Sequence, residues 1–377
     1  MVVQTVDSRA AATDRVAPPR VRALSLETVL TNLLRLAGLL AAALLAASPS
    51  APALAQGGEV NIYSYREPGL IQPLLDTFTA ETGVKTNVLY AGDGLLERVE
   101  AEGELSPVDV VLTVDVGVLV GGKDRGLTQP IATDALERVP DAFRDPQGNW
   151  TALSLRARVF YVSRDRVDAT ALTYEDIARP EWKGRLCTRA GDHAYNIGLI
   201  ASRIALWGED KTRQWLGAVR DNLAYPPTGG DREGPRNILA GTCDLSITNT
   251  YYMGLMLNND AEPEQKDWAG ASRIIYPTTD DGDGTQVNAA GAFIGKYAPN
   301  PDNANALIGF LLSDEAQQLY ADRNYEYPVV PSVQPSELTR SWGALNPSSV
   351  SLIDIAAHRD EAAAMVDELQ FNAGPQN

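Results

Sequence analysis

Two adjacent tyrosines, Tyr251 and Tyr252, directly follow the strand-like run Asp244 to Thr248, and a third, Tyr195, lies just past a similar run, Arg185 to Thr188. Neighbouring residues in an extended strand point to opposite faces. Both phenols can therefore serve one site only if the backbone turns at the strand's C-terminal end. Tyr195 falls near the start of the next helix, where the macrodipole favours a nearby anion. Three phenols at strand ends facing one cleft could serve a metal site. Taken alone the pattern is weak, because three of fourteen tyrosines would also line an ordinary core.

Other chemistry is thinly represented. There is no G-x-S-x-G nucleophile elbow, and the only histidines are His193 and His358, with no H-E-x-x-H or C-x-x-C zinc spacing. Gly117 to Asp124 matches a phosphate loop until Asp124 replaces the hydroxyl that would hold Mg²⁺. Asp280 to Gly284 hints at calcium, but an EF-hand loop begun at Asp281 would place Gln286 where a glycine is needed. Chance explains the first, and a solvated turn the second.

These residues need a scaffold, and the apolar pattern describes one. Val60 to Tyr65 opens as a strand. Leu70, Leu74, Leu75 and Phe78 then recur at helical spacing until Gly83 stops the helix. Val84 to Tyr90, a helix over Gly94 to Gly103, and the buried-looking strand Asp109 to Val114 complete a βαβαβ alternation, which implies a parallel sheet flanked by helices. Trp150 to Val162 is one extended run suited to leaving one domain for the next. A second α/β unit follows, with helices from about Tyr195, over Asp210 to Leu223 and near Arg236 to Ala240. Ile274 to Pro277 and Ala289 to Ile294 read as strands returning to the first unit, and Pro301 to Leu312 and Ile353 to Leu369 as helices. The expected fold is α/β with two lobes, each a mixed, mostly parallel sheet between helices, and a cleft at the hinge, the usual place for a ligand. The first lobe takes residues 58–155 plus about 277–330, and the second 156–276 plus about 331–377.

Cys187 and Cys243 are the only cysteines, an even pair that suggests one disulfide in an oxidising compartment, with two buried free thiols as the alternative. The N-terminus reads as an export signal, because Leu36 to Ala47 is apolar, Ser48-Pro49-Ser50 breaks it, and Ala53-Leu54-Ala55 offers a cleavage site near Ala55. Twelve apolar residues are too few to cross a bilayer, which needs ~20. No stable membrane insertion after cleavage is expected, and the location is periplasmic. The formal charge of the chain is −17. Binding of nucleic acid is excluded in practice, because phosphates need clustered Lys and Arg.

The residues carry a family resemblance. Val60 to Ser64, Asp109 to Asp115, Arg156 to Val159, Tyr174 to Asp176, Pro180 to Cys187, Tyr195-Asn196, Asn249 to Tyr252 and Glu326 to Val329 resemble, in order, stretches of the periplasmic ferric-iron-binding proteins that feed ABC importers. The resemblance implies that Tyr195, Tyr251 and Tyr252 are phenolate ligands of Fe³⁺, and that Arg156 anchors a synergistic anion such as carbonate, with Arg158 and Arg66 as alternatives. Where one form of the family has a first-lobe His-Tyr pair, this chain has Glu67 and Pro68, leaving Tyr65 and Glu67 open as further ligands. The implied protein is a non-enzymatic monomer that closes on a hinge and delivers iron to an inner-membrane ABC permease. Fold alone leaves two rivals: the same fold holding a small organic anion or polyamine, and a secreted hydrolase using paired carboxylates.

Overall fold

A computed structural model describes residues 57–376. The expected signal segment and its cleavage site lie outside the described residues. The chain opens with β1 (Glu59–Ser64), α1 (Pro68–Thr82), β2 (Lys85–Tyr90), α2 (Leu95–Glu102), β3 (Val110–Thr113), α3 (Val116–Asp124) and the short β4 (Thr128–Gln129). Pro68 starts α1 at a position where its missing N–H costs nothing, and Ile71, Leu74, Leu75 and Phe78 bury one stripe. Gly83, at φ 72°, closes the helix by donating its N–H to the Thr79 carbonyl. Leu70, expected in that stripe, is only half-buried and Ile71 takes its place. The phosphate-loop match is not a loop, since Gly117 to Asp124 lies inside α3, capped by the Asp115 carboxylate accepting from the Gly117 N–H.

The next strand, β5 (Thr151–Ser163), is buried at every one of its thirteen positions. It leads to β6 (Leu186–Thr188), α4 (Ala194–Trp207), α5 (Glu209–Asp221), α6 (Glu233–Leu239), β7 (Leu245–Asn249), α7 (Tyr251–Leu257), α8 (Glu264–Gly270), β8 (Ser272–Ile275) and β9 (Val287–Gly295). The chain finishes through α9 (Pro301–Leu311), α10 (Asp314–Asn324), β10 (Tyr327–Pro328), α11 (Glu337–Ser341), α12 (Leu352–Ala357) and α13 (Arg359–Glu368). The single helix expected over Ile353 to Leu369 is thus two. His358 leaves helical geometry at φ −102° and ψ 14°, and Arg359 beyond it pairs with Asp115 at 3.1 Å.

The strands run in the order β2-β1-β3-β9-β5-β7-β6, with β4 on β9 and with β8 and β10 on β5. The α/β class and the mixed sheet stand as expected, but "mostly parallel" does not. Only β1–β2, β1–β3 and β6–β7 pair in parallel, while β9 and β5 make antiparallel contacts throughout. Two long strands that each run back against their neighbours account for the difference. A second correction concerns β8. It pairs with Phe160 to Ser163 on the distal half of β5, across that strand from β7, so of the two strands expected to return only β9 does.

β5 is the member common to both halves. Residues up to Ala157 pair with β9, and from Arg158 onward with β7. A bulge interrupts the β5–β9 ladder, because Ala152 and Ser154 face consecutive residues Gly291 and Ala290 and leave Leu153 as the extra residue.

Cys187 and Cys243 form a disulfide with their Cα atoms 6.0 Å apart. Cys187 sits in β6, and Cys243 precedes β7 by two residues, so the bridge staples this parallel pair and closes a loop of sequence separation 56. Chain-entropy arithmetic for a loop of that size gives ~4 kcal/mol of stabilisation. Thiol labelling of the unfolded, non-reduced protein should therefore find no free thiol. A Cys187→Ser/Cys243→Ser variant should lose ~2–5 kcal/mol in urea melts, and retention of wild-type stability would contradict the entropic account.

Candidate functional site

Two strand-to-helix turns place the three tyrosines. After β6 the chain enters α4 with His193 as its cap, the ring Nδ1 accepting the Tyr195 N–H at 3.2 Å. After β7 it turns at Thr250 directly into α7, so Tyr251 and Tyr252 occupy a first helical turn rather than opposite faces of a strand. The buried Tyr161 hydroxyl holds this turn by donating toward the carbonyls of Asn249 and Thr250, at 3.1 and 3.0 Å. The Tyr195 and Tyr251 hydroxyl oxygens stand 3.3 Å apart, and the Tyr251 and Tyr252 rings stack with centroids 4.2 Å apart. All three line one cavity of about 200 Å³ that Tyr65, Arg66, Glu67, Arg156 and Glu326 also border.

Burial dominates the phenols. It pushes Tyr251 well above its ordinary range, and the neighbouring Tyr195 and Tyr252 push the same way. Tyr252 is raised for the same first reason, with Tyr195 and Asp231 adding to it. Both are therefore neutral at pH 7 unless a cation supplies the missing charge.

The arginines sort by their partners. Arg156 and Arg158 share one face of β5, two residues apart, and both guanidinium groups lie about 6 Å from the Tyr195 ring, at 6.0 and 5.9 Å. Arg158 is fully engaged at its two terminal nitrogens: Nη1 donates to Asp231 at 2.6 Å and to Asn249 at 3.3 Å, and Nη2 to Asn196 at 2.7 Å. Arg156 is as deeply buried, yet its Nε and Nη2 have no hydrogen-bond partner. Burial works against its charge, but Glu326 and the two phenols outweigh that effect and hold it protonated. Arg66 donates to Glu326 at 2.8 Å and leaves Nε and Nη1 free. A buried guanidinium with unused donors fits an anion. Arg156 and Arg66 each have two such atoms whereas Arg158 has only its Nε, and Arg156 also lies 5.8 Å from the Tyr251 ring.

In the first half, the Tyr65 hydroxyl accepts the Leu96 N–H at 2.8 Å, and Glu67 stands exposed at the rim. Residues of the cavity wall that the sequence reading did not place there include His193, Arg232 and Glu326. Glu326 follows Tyr325, a non-glycine residue held at φ 56°, which only coordinates reveal. Among the described residues no group of three or more His, Cys, Asp or Glu could hold a metal. The Asp280 to Gly284 turn is tied down by the Asp283 carboxylate accepting from Ser348 and Ser349.

Comparison with known proteins gives these features a family. The model of the family described as bacterial extracellular solute-binding protein matches residues 106–344. The chain belongs to that family. Iron uptake protein A2 of Synechocystis is 37% identical over 330 residues, covering 87% of this chain and 94% of its own. The crystal structure of apo ferric ion-binding protein A from Pasteurella haemolytica superposes with a TM-score of 0.80 at 43% identity, covering 83% of this chain and 98% of its own. A Trichodesmium protein solved with iron and citrate ligands gives 0.78 at 33% identity, covering 83% and 100%. The resemblance drawn from the sequence and the two-lobe binding fold it implies both hold.

In this solute-binding protein the His193 ring packs edge-on against Tyr195 at 4.6 Å between centroids. Burial, reinforced by Arg189, lowers its pKa from 6.5 to about 4. A folded-state value below the unfolded one means that its stabilising contribution is present above pH 6.5 and is lost as pH falls toward 4. His193→Asn keeps a capping side chain. Urea melts at pH 7 and pH 5 should show a smaller acid loss in the variant than in the wild type.

Proposed function

We propose that this solute-binding protein captures ferric iron together with a small anion in the cavity between its halves, and passes the iron to an inner-membrane ABC permease. The observation that carries the reading is the meeting of three phenols, from two different helix starts, beside the buried and partly unpartnered guanidinium of Arg156. Tyr195, Tyr251 and Tyr252 supply hard oxygen. The cation supplies the charge that favours loss of each phenol proton, against the burial that raises Tyr251 and Tyr252, so that three phenolates neutralise its three charges. Arg156 then grips a carbonate-like anion that fills remaining coordination positions, and Tyr65 and Glu67 bring the first half toward the metal as the lobes close. The protein acts as a periplasmic monomer without turnover. The relatives named for iron support the cargo, and the family's binding role supports the absence of catalysis.

The polyamine and hydrolase readings fit the wall less well. A polyamine would meet the buried positive charges of Arg66 and Arg156. A hydrolase needs a carboxylate pair, whereas the buried carboxylate of the cavity, Glu326, is committed to Arg66 and to the Ser154 hydroxyl at 2.5 Å.

Phenolate bound to Fe³⁺ gives a visible charge-transfer band, so the loaded protein should be coloured. Tyr195→Phe, Tyr251→Phe and Tyr252→Phe should each weaken iron binding by at least the ~10–100-fold that loss of a supporting partner costs a metal site, and should shift the band. If the three were only core residues, each change would cost ~1–3 kcal/mol of stability and leave iron uptake intact. Tyr63→Phe is the control, because that hydroxyl binds Glu102 at 2.9 Å, away from the cavity.

Acid should release the cargo, since protons compete for phenolate and anion alike. Bleaching of the band on stepwise acidification, reversed on return to pH 7 with fresh iron and bicarbonate, is the expected course. Full colour well below the range in which bicarbonate protonates would contradict this site.

A further inference from the structure

The deep wall of the cavity holds three charged side chains that are all but sealed from solvent: Arg66 at 3%, Arg156 at 1% and Glu326 at 1% exposure. They converge from distant parts of the chain. Arg66 follows β1, Arg156 sits at the middle of β5, and Glu326 precedes β10. The Glu326 Oε2 accepts from Arg66 at 2.8 Å and from the Ser154 hydroxyl at 2.5 Å, while Oε1 lies 3.9 Å from the Arg156 Nη2. That last distance is too long for a hydrogen bond. Glu326 is thus bonded to one guanidinium and leaves the other facing the phenols with unused donors.

We infer that Glu326 is a specificity-determining residue that fixes the charge of the anion accepted with iron, by cancelling Arg66 so that this buried cluster presents a single net positive charge. The inference rests on the proposed iron-plus-anion reading. With iron neutralised by three phenolates, one uncompensated charge in a low-dielectric wall favours an anion of low charge such as bicarbonate or carbonate, and disfavours a tricarboxylate. Burial alone would protonate Glu326, but Arg66 and then Arg156 outweigh it and hold the carboxylate below its ordinary range, so it carries its charge at neutral pH. His193 adds no charge there at pH 7, and Arg232 and the exposed Glu67 are common to every variant below.

The test uses the whole mature protein, ferric chloride, and either bicarbonate or citrate as the anion. It reads iron retention from the visible band. Wild-type and variant proteins meet the same free citrate, so citrate's own chelation of iron cancels when variants are compared. Glu326→Gln keeps the shape and raises the cluster to two charges, and should raise the citrate-to-bicarbonate retention ratio ~tenfold or more, as expected for one added charge a few ångströms from a buried anion. Glu326→Asp should restore the wild-type ratio. The double variant Arg66→Gln/Glu326→Gln removes the pair together and returns the cluster to one charge, that of Arg156. It should also behave as wild type, which guards against a single variant that fails to fold. A folded Glu326→Gln protein with an unchanged ratio overturns the inference. So does a double variant that keeps the Glu326→Gln preference. If wild type itself gives no iron-dependent band, the proposed function falls and takes the inference with it, whereas a wild-type band with an unmoved ratio removes only the role of Glu326.

Discussion

Backbone pairing along Thr151–Ser163 is the constraint on which the site depends. One strand supplies ladder partners to β9 on its first half and to β7 on its second, and the change of partner falls between Ala157 and Arg158. Arg156 and Arg158 straddle that change. A strand paired on both edges leaves its inward side chains little freedom of position, and these two are pinned opposite Asn288 and Asn249. The phenols reach the same place from the other direction, because β6 and β7 are parallel and their following helices start at one end of the sheet. Ligand sites at the carboxyl ends of strands are the general outcome of this geometry.

The electrostatics of the cavity set neutral phenols beside buried guanidinium groups. Burial disfavours ionised phenol, so the tyrosines cannot charge themselves. Burial also disfavours an isolated guanidinium, and Arg158 answers that cost with Asp231 and two asparagines. Arg156 has no comparable set of partners. Unused buried donors on one side and neutral phenols on the other are complementary, and the proposed metal–anion pair would satisfy both at once.

Much of this was legible in the sequence because it is local. The Asp109 to Val114 run, the Pro68 start and Gly83 stop of α1, and the tyrosines just past two strands are signals carried within a few residues. The resemblance to ferric-iron-binding proteins added the roles. What sequence spacing could not supply was pairing between remote segments. Glu326 lies 260 residues from the Arg66 it binds. Likewise nothing near Arg158 announces Asp231, so the preference for Arg156 over Arg158 came from the resemblance and not from any sign of their partners. The helix break at His358 and the direction of β8 were missed for a related reason. Apolar runs report burial, while the partner that buries them is set by the whole fold.

The bulge at Leu153 bears on how this chain avoids a particular misfolding. Side chains on a strand repeat every two residues, so sliding β5 by two positions would keep every apolar residue on its proper face and escape the usual penalty for a register error. Arg158 would then stand where Arg156 stands, and the molecule could be compact and well packed with the wrong guanidinium beside its tyrosines. An odd residue in one strand breaks that equivalence, because a slide of two would leave a residue other than Leu153 at the bulge in the β5–β9 ladder. The irregularity thus acts as the index mark of a vernier scale, giving a repetitive pattern one place to lock.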